Sequence, residues 1–256
     1  MLETFIVIPC YNEENRLDKN KFKSYLDNNS DIFFIFVNDG STDNTKELID
    51  SIENAYPQRV KHLSLMKNFG KAEAVRHGVL KSIELGAKNI GYWDADLSTP
   101  LFFIKKMLEK LNSKVTLVLG SRVKLLGYNI ERLPIRHYSG RIFATFASII
   151  LELPVYDTQC GAKVFRNNFE IQKAFSRSFS VNWSFDIEFL GRLKIIKNHF
   201  SLKPLAETAI EQPLEKWIHC PGSKIKTLDF FIAIKELITL KKNFCSPVYK
   251  KRLLMV

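Results

Sequence analysis

Short apolar runs alternate with segments of helical spacing through the first half of the chain. The runs at residues 4–9, "TFIVIP", and 31–39, "DIFFIFVND", are continuous and rich in β-branched and aromatic residues. "VKHLSL", "NIGYWD" and "VTLVLGSR" follow the same pattern. Apolar runs of this length are typical of strands buried on both faces. The alternation therefore predicts an α/β fold with a mainly parallel sheet covered by helices on both faces.

Helix signals separate these runs and continue into the second half. The segment "GKAEAVRHGVLKSIELG" predicts a helix that ends at Gly86, because glycine is favoured just beyond the last helical turn. Thr99 and Pro100 are predicted to be the N-cap and first residue of a helix over "LFFIKKMLEKL". Past residue 125, "RLPIRHYSGRIFATFASIILELP" and "WSFDIEFLGRLKII" predict helices, whereas "YDTQCGAKVFR" and "LKPLAETAI" predict extended segments.

Charged residues stand at the ends of three predicted strands. Asp39 follows the second strand, Asp94 and Asp96 follow the fourth, and Arg122 follows the fifth. In parallel sheets the ligand site lies at the carboxyl ends of the strands. We therefore expect these four side chains to face one site.

The two aspartates in "NIGYWDADLSTP" need a compensating positive charge. Extended geometry would project Asp94 and Asp96 to the same side, and like charges that close repel unless a cation or hydrogen-bond donors lie between them. Carboxylates are hard oxygen ligands that suit Mg²⁺ or Mn²⁺. The chain has neither a P-loop nor a G-x-G-x-x-G turn after its first strand, so the phosphates of a bound nucleotide would need such a cation.

The charge of the chain is basic, and much of the excess lies toward the C-terminus. The formal net charge is +11, and from Lys216 onward there are nine Lys/Arg against two acids. Such a tail suggests an anionic partner (phosphates, acidic lipids or nucleic acid), with solvated surface charge as the alternative. Residues 228–242, "LDFFIAIKELITLKK", are amphipathic, so they lie either on a bilayer or, as we favour, on the core. No apolar run reaches the roughly 20 residues of a membrane-spanning helix.

The cysteines and the first residues bear on the compartment. The four cysteines are scattered, without C-x-x-C or metal-ligand spacing. The start "MLETFIVIPC" is strand-like and does not have the pattern of a signal peptide. We therefore expect a reduced, cytoplasmic setting.

Seven segments that occur in order connect the chain to a known family. They are "FIVIPCYNEENRL", "FVNDGSTDNT", "NFGKAEAVRHG", "WDADLSTP", "GSR", "DTQCGAKVFR" and "WSFDIEFLGRL". Together they resemble the inverting family-two glycosyltransferases of the GT-A fold, over roughly residues 3–225. Within that family the chain is most similar to the dolichyl- and polyprenyl-phosphate glucosyl- and mannosyltransferases. The resemblance implies a nucleotide-diphospho-sugar transferase fold with a C-terminal acceptor-side elaboration.

The resemblance assigns the nucleotide-sugar site to strand ends and the loops beside them. Pro9, Tyr11 and Glu13 of "IPCYNEE" match the loop that lines the nucleobase and ribose. Asp39 matches the acid that accepts a hydrogen bond from a base N–H, and Lys71 stands where the family usually has Lys-Gly.

The D-x-D motif supplies the rest of the donor site. The resemblance makes Asp96 the direct metal ligand and places Asp94 nearer the ribose, with Mg²⁺ or Mn²⁺ as the implied cofactor. The chain departs from the family pattern at two positions. Asn38 precedes Asp39 where many relatives have a second acid, and Ala72 replaces the glycine that usually follows the lysine.

The acceptor side is expected to be cationic. Arg122 of "GSR" matches a residue that binds an acceptor phosphate, and Arg136, Ser139 and Arg141 of "RHYSGR" are expected to share it. Arginine suits this role through its planar, bidentate fork. For the two arginines of "RHYSGR" a solvated helix start is the alternative. Lys224 of "GSK" is expected to reach the diphosphate.

Two kinds of acceptor are considered. A lipid phosphate is already an anion and needs no general base, whereas the hydroxyl of a glycan in cell-surface polysaccharide synthesis needs a carboxylate to take its proton. Asp186 in "WSFDIEF" is the candidate base, with Glu188 beside it, and a structural ion pair is the alternative for both.

The predicted activity is transfer of a hexose, with glucose favoured, from a nucleotide-diphosphate sugar to a polyprenyl or dolichyl phosphate. UDP-glucose is the favoured donor and GDP-mannose a possible one. The expected location is peripheral, at the cytoplasmic face of an anionic membrane, with no nucleic-acid partner. The predicted catalytic residues are Asp94, Asp96, Arg122 and Asp186.

The predicted domain is continuous over residues 1–225. It divides into a nucleotide-sugar half, residues 1–123, and an acceptor half, residues 124–225, without a clean linker. Residues 226–256 form a C-terminal amphipathic helix and a basic tail.

Two other classes of protein fit single features only. "WDADLS" also fits the D-x-D-x-S/T nucleophile strand of haloacid-dehalogenase-type phosphatases, but the acidic pair which that chemistry needs is missing after Asp96. A nucleic-acid-binding module would explain the basic charge but not the acids at the strand ends.

Overall fold

The computed structural model describes residues 4–131, 134–218, 220 and 227–255, with the backbone alone for residues 134–139 and 227–231. The strands are β1 (Thr4–Cys10), β2 (Ile32–Asn38), β3 (Val60–Ser64), β4 (Asn89–Trp93), β5 (Leu117–Ser121), β6 (Asn129–Ile130), β7 (Ala162–Arg166), β8 (Ala209–Pro213) and β9 (Lys216–Trp217). The helices are α1 (Lys19–Asp27), α2 (Thr45–Ala55), α3 (Lys71–Glu84), α4 (Phe103–Leu108), α5 (Pro134–Leu151), α6 (Phe169–Phe175), α7 (Phe185–His199), α8 (Leu205–Thr208), α9 (Thr227–Cys245) and α10 (Pro247–Leu254).

Seven strands form one sheet in the order β3-β2-β1-β4-β7-β5-β8. The pairs β1–β2, β2–β3, β1–β4 and β5–β8 are parallel, which confirms the prediction of a mainly parallel sheet. β7 lies between β4 and β5 and is antiparallel to both. The sheet therefore joins the two predicted halves of the chain, and their division at residue 123 stays a prediction.

Helices cover both faces of the sheet, as the apolar strands predict. Phe5 and Val7 of β1 pack into one core together with residues of α3, α5, α6, α7, α9 and α10. Ile6 and Ile8, which alternate with them, pack into a second core with α1, α2 and α4. Successive side chains of a strand point to opposite faces, so a central strand must be apolar throughout.

Three local predictions can be compared with the elements. α3 ends at Glu84 and Gly86 follows with a φ of +76°, which confirms Gly86 as the residue beyond the helix end. The predicted cap at Thr99 and Pro100 is wrong, because α4 begins only at Phe103 and the Thr99 carbonyl instead accepts from Trp93 Nε1 at 2.6 Å. The predicted strand "LKPLAETAI" is also partly wrong, since Leu205–Thr208 is helical and β8 begins at Ala209.

The C-terminal helix α9 packs on the core. Its residues Leu237 and Leu240 are buried, and burial of such side chains stabilises a fold by about 1.5–3 kcal/mol each. Ile234 and Ile238, on the same helix, remain exposed. Within the described residues, no helix combines the length and the apolar character that crossing a bilayer requires.

Candidate active site

The loops that follow β1 and β2 interlock at the carboxyl edge of the sheet. The backbone amide of Asn12 donates to Ser41 Oγ at 3.0 Å, and Asn12 Oδ1 accepts from the Thr42 amide at 2.8 Å. The Glu13 amide donates to Thr45 Oγ1 at 2.7 Å. These bonds join the two separate loops beside the strand ends.

The three residues predicted to line a nucleobase lie at the end of β1 and in the loop that follows it. Pro9 and Tyr11 are half-buried, whereas Glu13 is buried. Glu13 Oε1 lies 2.5 Å from Arg16 Nη2, an ion pair within the loop. The structure thus brings the three residues together, and their contacts with a nucleotide stay a prediction.

Asp39 at the end of β2 holds the segment that leads into α3. Its two carboxylate oxygens accept from the backbone amides of Phe69 and Gly70, each at 2.8 Å. Burial raises the pKa of Asp39, and the two amide donors oppose that rise. The carboxyl group therefore has a clear structural task, and its predicted contact with a base N–H stays a prediction.

Asp94 follows β4 directly and is paired with Lys71, the first residue of α3. Lys71 Nζ lies 2.5 Å from Asp94 Oδ1. The carboxylate also lies against Gly161 in the loop before β7, where an added Cβ would meet Asp94 Oδ2 at 1.9 Å. Only glycine leaves room for the Asp94 side chain in this position.

Asp96 lies in a turn rather than in an extended strand. β4 ends at Trp93, the Leu97 amide donates to the Asp94 carbonyl at 3.2 Å, and Ser98 N donates to Asp96 Oδ1 at 3.0 Å. The expectation that strand alternation aligns Asp94 and Asp96 is therefore wrong. The turn, and not the pleat, brings both carboxylates to the site.

Two cations compensate the charge of the aspartates. Arg16 Nη1 lies 3.8 Å from Asp96 Oδ2, while Lys71 contacts Asp94. Burial lowers the pKa of Lys71, but the carboxylates of Asp94, Asp186 and Asp96 outweigh it, so the net pKa is raised. Lys71 is therefore a firmly protonated cation at neutral pH.

Arg122, just after β5, is held by an acid that the sequence analysis did not single out. Its Nε and Nη2 donate to the two oxygens of Asp157 at 2.7 and 2.8 Å, and its backbone amide donates to the same carboxylate at 3.0 Å. Burial lowers the pKa of Arg122, but the carboxylate of Asp157 outweighs that effect, so the net pKa is raised. Asp157 is the first residue of "DTQCGAKVFR", a family motif in which no role had been predicted for this aspartate.

Arg141 reaches the same loop from α5. Its guanidinium carbon lies 3.7 Å from the ring centroid of Tyr156, which precedes Asp157. Glu211 of β8 fixes this loop by accepting from the amides of Tyr156 and Asp157 at 2.7 and 2.8 Å. The loop that holds Arg122 is therefore contacted by α5 through Arg141 and by β8 through Glu211.

The side chains of three other predicted residues lie outside the described part of the structure. Arg136 and Ser139 belong to α5, and their side chains are outside the described part of the structure. Lys224 also lies outside the described residues. Their phosphate contacts stay predictions.

Asp186, the predicted base, is buried behind the D-x-D motif. Its Oδ1 accepts from Lys163 Nζ at 2.6 Å and from the hydroxyl of Tyr92. Lys163 is itself fully buried in β7 and donates to the carbonyls of Thr158 and Cys160 at 3.0 and 2.6 Å. This geometry favours the structural alternative for Asp186. No pattern in the sequence singled out Lys163.

Glu188 is also buried and held on both oxygens. Oε2 accepts from the amides of Ser180 and Val181, whereas Oε1 accepts from Arg192 Nη2 at 2.8 Å and from Tyr249 OH at 2.7 Å. It ties α7 to α10 and to the segment before α7, which again is a structural task.

The donor set at the D-x-D motif fits a hard divalent cation. Asp94 and Asp96 offer carboxylate oxygens on partly exposed side chains. A separate group of ligand atoms, Asp50, Glu53 and His62, lies on α2 and β3 within the described residues. In that group Asp50 is already paired with Lys46 at 2.6 Å and with His62 at 2.9 Å.

The comparison with protein families covers most of this architecture. The model of glycosyl transferase family 2 matches residues 5–171, which is more than half of the chain and includes the loops of β1, β2, β4 and β5. The chain belongs to glycosyl transferase family 2. It is therefore a glycosyltransferase, and the family resemblance of the seven motifs is confirmed.

Two dolichyl-phosphate beta-glucosyltransferases are similar in sequence to this chain. The chain is 31% identical to a human dolichyl-phosphate beta-glucosyltransferase, over 96% of this chain and 76% of that protein. It is 32% identical to a dolichyl-phosphate beta-glucosyltransferase of Trichomonas vaginalis, over 73% of this chain. The matched region spans 58% of the length of the Trichomonas protein.

The fold of this chain is also similar to that of solved glycosyltransferases. Glucosyl-3-phosphoglycerate synthase from Mycobacterium tuberculosis, in complex with Mn²⁺ and UDP-glucose, superposes with a TM-score of 0.64. The identity is 17%, over 94% of this chain and 78% of that chain. The similarity confirms the GT-A fold.

Proposed function

We propose that this glycosyltransferase moves glucose from UDP-glucose to a dolichyl or polyprenyl phosphate, with inversion at the anomeric carbon. The names of the relatives from human and Trichomonas vaginalis support glucose and a dolichyl phosphate acceptor. The solved fold relative binds UDP-glucose, which supports the same donor.

The observation that favours a phosphate acceptor is the burial of both acids at the start of α7. Asp186 is ion-paired with Lys163, and Glu188 with Arg192. A glycan hydroxyl would need one of these carboxylates to take its proton. A lipid phosphate is an anion already, so one of its oxygens attacks the anomeric carbon while the bond to the diphosphate breaks.

The residues of the chain divide between donor and acceptor in this proposal. In it, Lys71, which is paired with Asp94, offsets the negative charge that develops on the departing diphosphate. Arg122 and Arg141 draw the acceptor phosphate toward the site, with Asp157 fixing the orientation of Arg122. Asp94 and Asp96 would hold Mg²⁺ or Mn²⁺, which when bound supplies Lewis-acid stabilisation of the leaving group.

An apolar face on α5 supports peripheral binding to a membrane. Ile142, Phe146 and Ile149 recur at helical spacing, and each is more than half exposed. The basic C-terminal tail adds attraction to anionic lipids of roughly 1 kcal/mol per well-placed cation. We propose that this face lies at the cytoplasmic surface of a membrane that contains the acceptor.

The proposal is tested with purified protein, detergent-dispersed dolichyl phosphate and either UDP-glucose or GDP-mannose. We expect a glucosylated lipid only when UDP-glucose, dolichyl phosphate and Mg²⁺ or Mn²⁺ are all present. Transfer to a glycan acceptor with no product on dolichyl phosphate would favour the alternative. Equal turnover in the presence of EDTA would argue against the role of Asp94 and Asp96.

A further inference from the structure

Two helices beside the site begin without a cap from their own N-cap residue. α3 follows Gly70 and α7 follows Ser184, and neither residue makes a side-chain capping bond. The first amide groups of a helix have no acceptor within the helix. A side chain from another part of the chain supplies an acceptor in the first turn of α3, and another accepts from the amides up to the N-cap residue of α7.

Glu236 of α9 caps α7. One of its carboxylate oxygens accepts from the amides of Asn182 and Trp183 at 3.0 and 3.2 Å, and the other accepts from the Ser184 amide at 2.7 Å. A negative charge is favourable at a helix N-terminus. One carboxylate thereby fixes the three residues that precede α7.

Asn182 in turn caps α3. Its Oδ1 accepts from the Ala72 amide at 3.3 Å, and its side-chain amide lies directly over Gly70, where an added Cβ would meet Nδ2 at 2.2 Å. Gly70 and Ala72 flank Lys71, whose Nζ contacts Asp94 at 2.5 Å. A continuous path of contacts therefore runs from α9 to the lysine of the site.

A pocket borders this path. An open pocket of about 440 Å³ lies along it, lined among others by Phe69, Ala72, Asn182, Lys235 and Glu236. The pocket leaves the hydrogen bonds of Asn182 and Glu236 at its edge, whereas Ala72 and Val181 beside them are buried in the core.

We propose that Glu236 is a positioning residue for the donor. Through Asn182 it sets the N-terminus of α3, and so the place of Lys71 beside the diphosphate. The inference rests on the proposed role of Lys71 in donor binding. It also connects the donor site to α9, whose residues Ile234 and Ile238 are exposed.

The test compares Glu236→Gln, Asn182→Ala and the double variant by steady-state kinetics. We expect each single change to raise the KM for UDP-glucose about tenfold and leave the KM for dolichyl phosphate unchanged. The double variant should be no worse than either single one, because both act on one path. Asp18→Asn is the matched control, since Asp18 caps α1 by accepting from Asn20 and Lys21 and lies outside this path.

A merely structural role would give a different result. General destabilisation lowers the apparent kcat and leaves both KM values unchanged, and that outcome would overturn the proposal, as would additive effects in the double variant. If Glu236→Gln does not fold, Asn182→Ala decides the question, because Asn182 is exposed. Wild-type protein that neither binds nor uses UDP-glucose would instead refute the proposed function itself.

Discussion

Lys163 donates to Asp186 at 2.6 Å, and both side chains are almost completely buried. A buried pair of this kind is costly to break on one side, because the remaining charge loses its partner. The same lysine holds the carbonyls of Thr158 and Cys160, so it also shapes the loop between Asp157 and Gly161. The pair therefore supports both the fold and the position of the site.

The first prediction concerns this pair. Asp186→Asn should lower the free energy of unfolding by about 3–5 kcal/mol, whereas Lys163→Met with Asp186→Leu should recover part of that loss. Urea unfolding monitored by circular dichroism measures both. If the acceptor is a phosphate, kcat per folded Asp186→Asn molecule should stay within about tenfold of wild type. A loss of about a thousandfold in well-folded protein would identify Asp186 as a general base.

The second prediction concerns Lys71. Lys71→Met should lower kcat/KM for UDP-glucose by about 100-fold or more, because it removes a fixed cation beside the leaving group. Lys46→Met is the matched control, since Lys46 pairs with Asp50 at 2.6 Å on the exposed side of α2. Similar losses in both variants would contradict the assignment of Lys71 to the donor site.

The third prediction is a pH dependence. The raised pKa of Lys71 belongs to the folded state, so the stability from its pairing is fully present below the ordinary lysine value of 10.5 and is lost only as the pH rises through the higher folded value. Titration calorimetry with UDP should therefore show no lysine-linked loss of affinity up to about pH 10. A decline centred near pH 8 that disappears in Lys71→Met would be inconsistent with this pairing.

The fourth prediction uses Gly161. Gly161→Ala should displace the Asp94 carboxylate, because the new Cβ would lie 1.9 Å from Asp94 Oδ2. We expect the Mn²⁺ concentration for half-maximal activity to rise about tenfold or more. Gly127→Ala is the control, since its Cβ would meet nothing within 4 Å, although its φ of +83° makes alanine strained. An unchanged metal requirement in Gly161→Ala would remove Asp94 from the metal site.

The fifth prediction concerns Arg122 and Asp157. Arg122→Lys should raise the KM for dolichyl phosphate about tenfold, because lysine cannot reproduce the bidentate contact with Asp157 and loses its fixed orientation. The KM for UDP-glucose should change little. Asp157→Asn should act in the same direction, and the two changes should be non-additive. A selective effect on the donor would place Arg122 on the other side of the reaction.

Local patterns in the sequence determined a large part of this protein. Continuous apolar runs predicted the buried strands, and Asp39, Asp94 and Arg122 lie directly after β2, β4 and β5. The strand predictions succeeded because the burial of a strand depends on residues that are close together in the chain. The ordered motifs added the family.

Only the tertiary structure decided how the side chains pair. The antiparallel insertion of β7 puts Lys163 beside Asp186, and the contacts of Asp157 with Arg122 and of Glu236 with the start of α7 join distant segments. Such pairs form only when distant segments of the chain pack against each other, so the partner of each buried charge depends on the whole fold. No short-range pattern in the sequence specifies this pairing, since an acid on a predicted helix is compatible with both a catalytic base and a buried counter-ion.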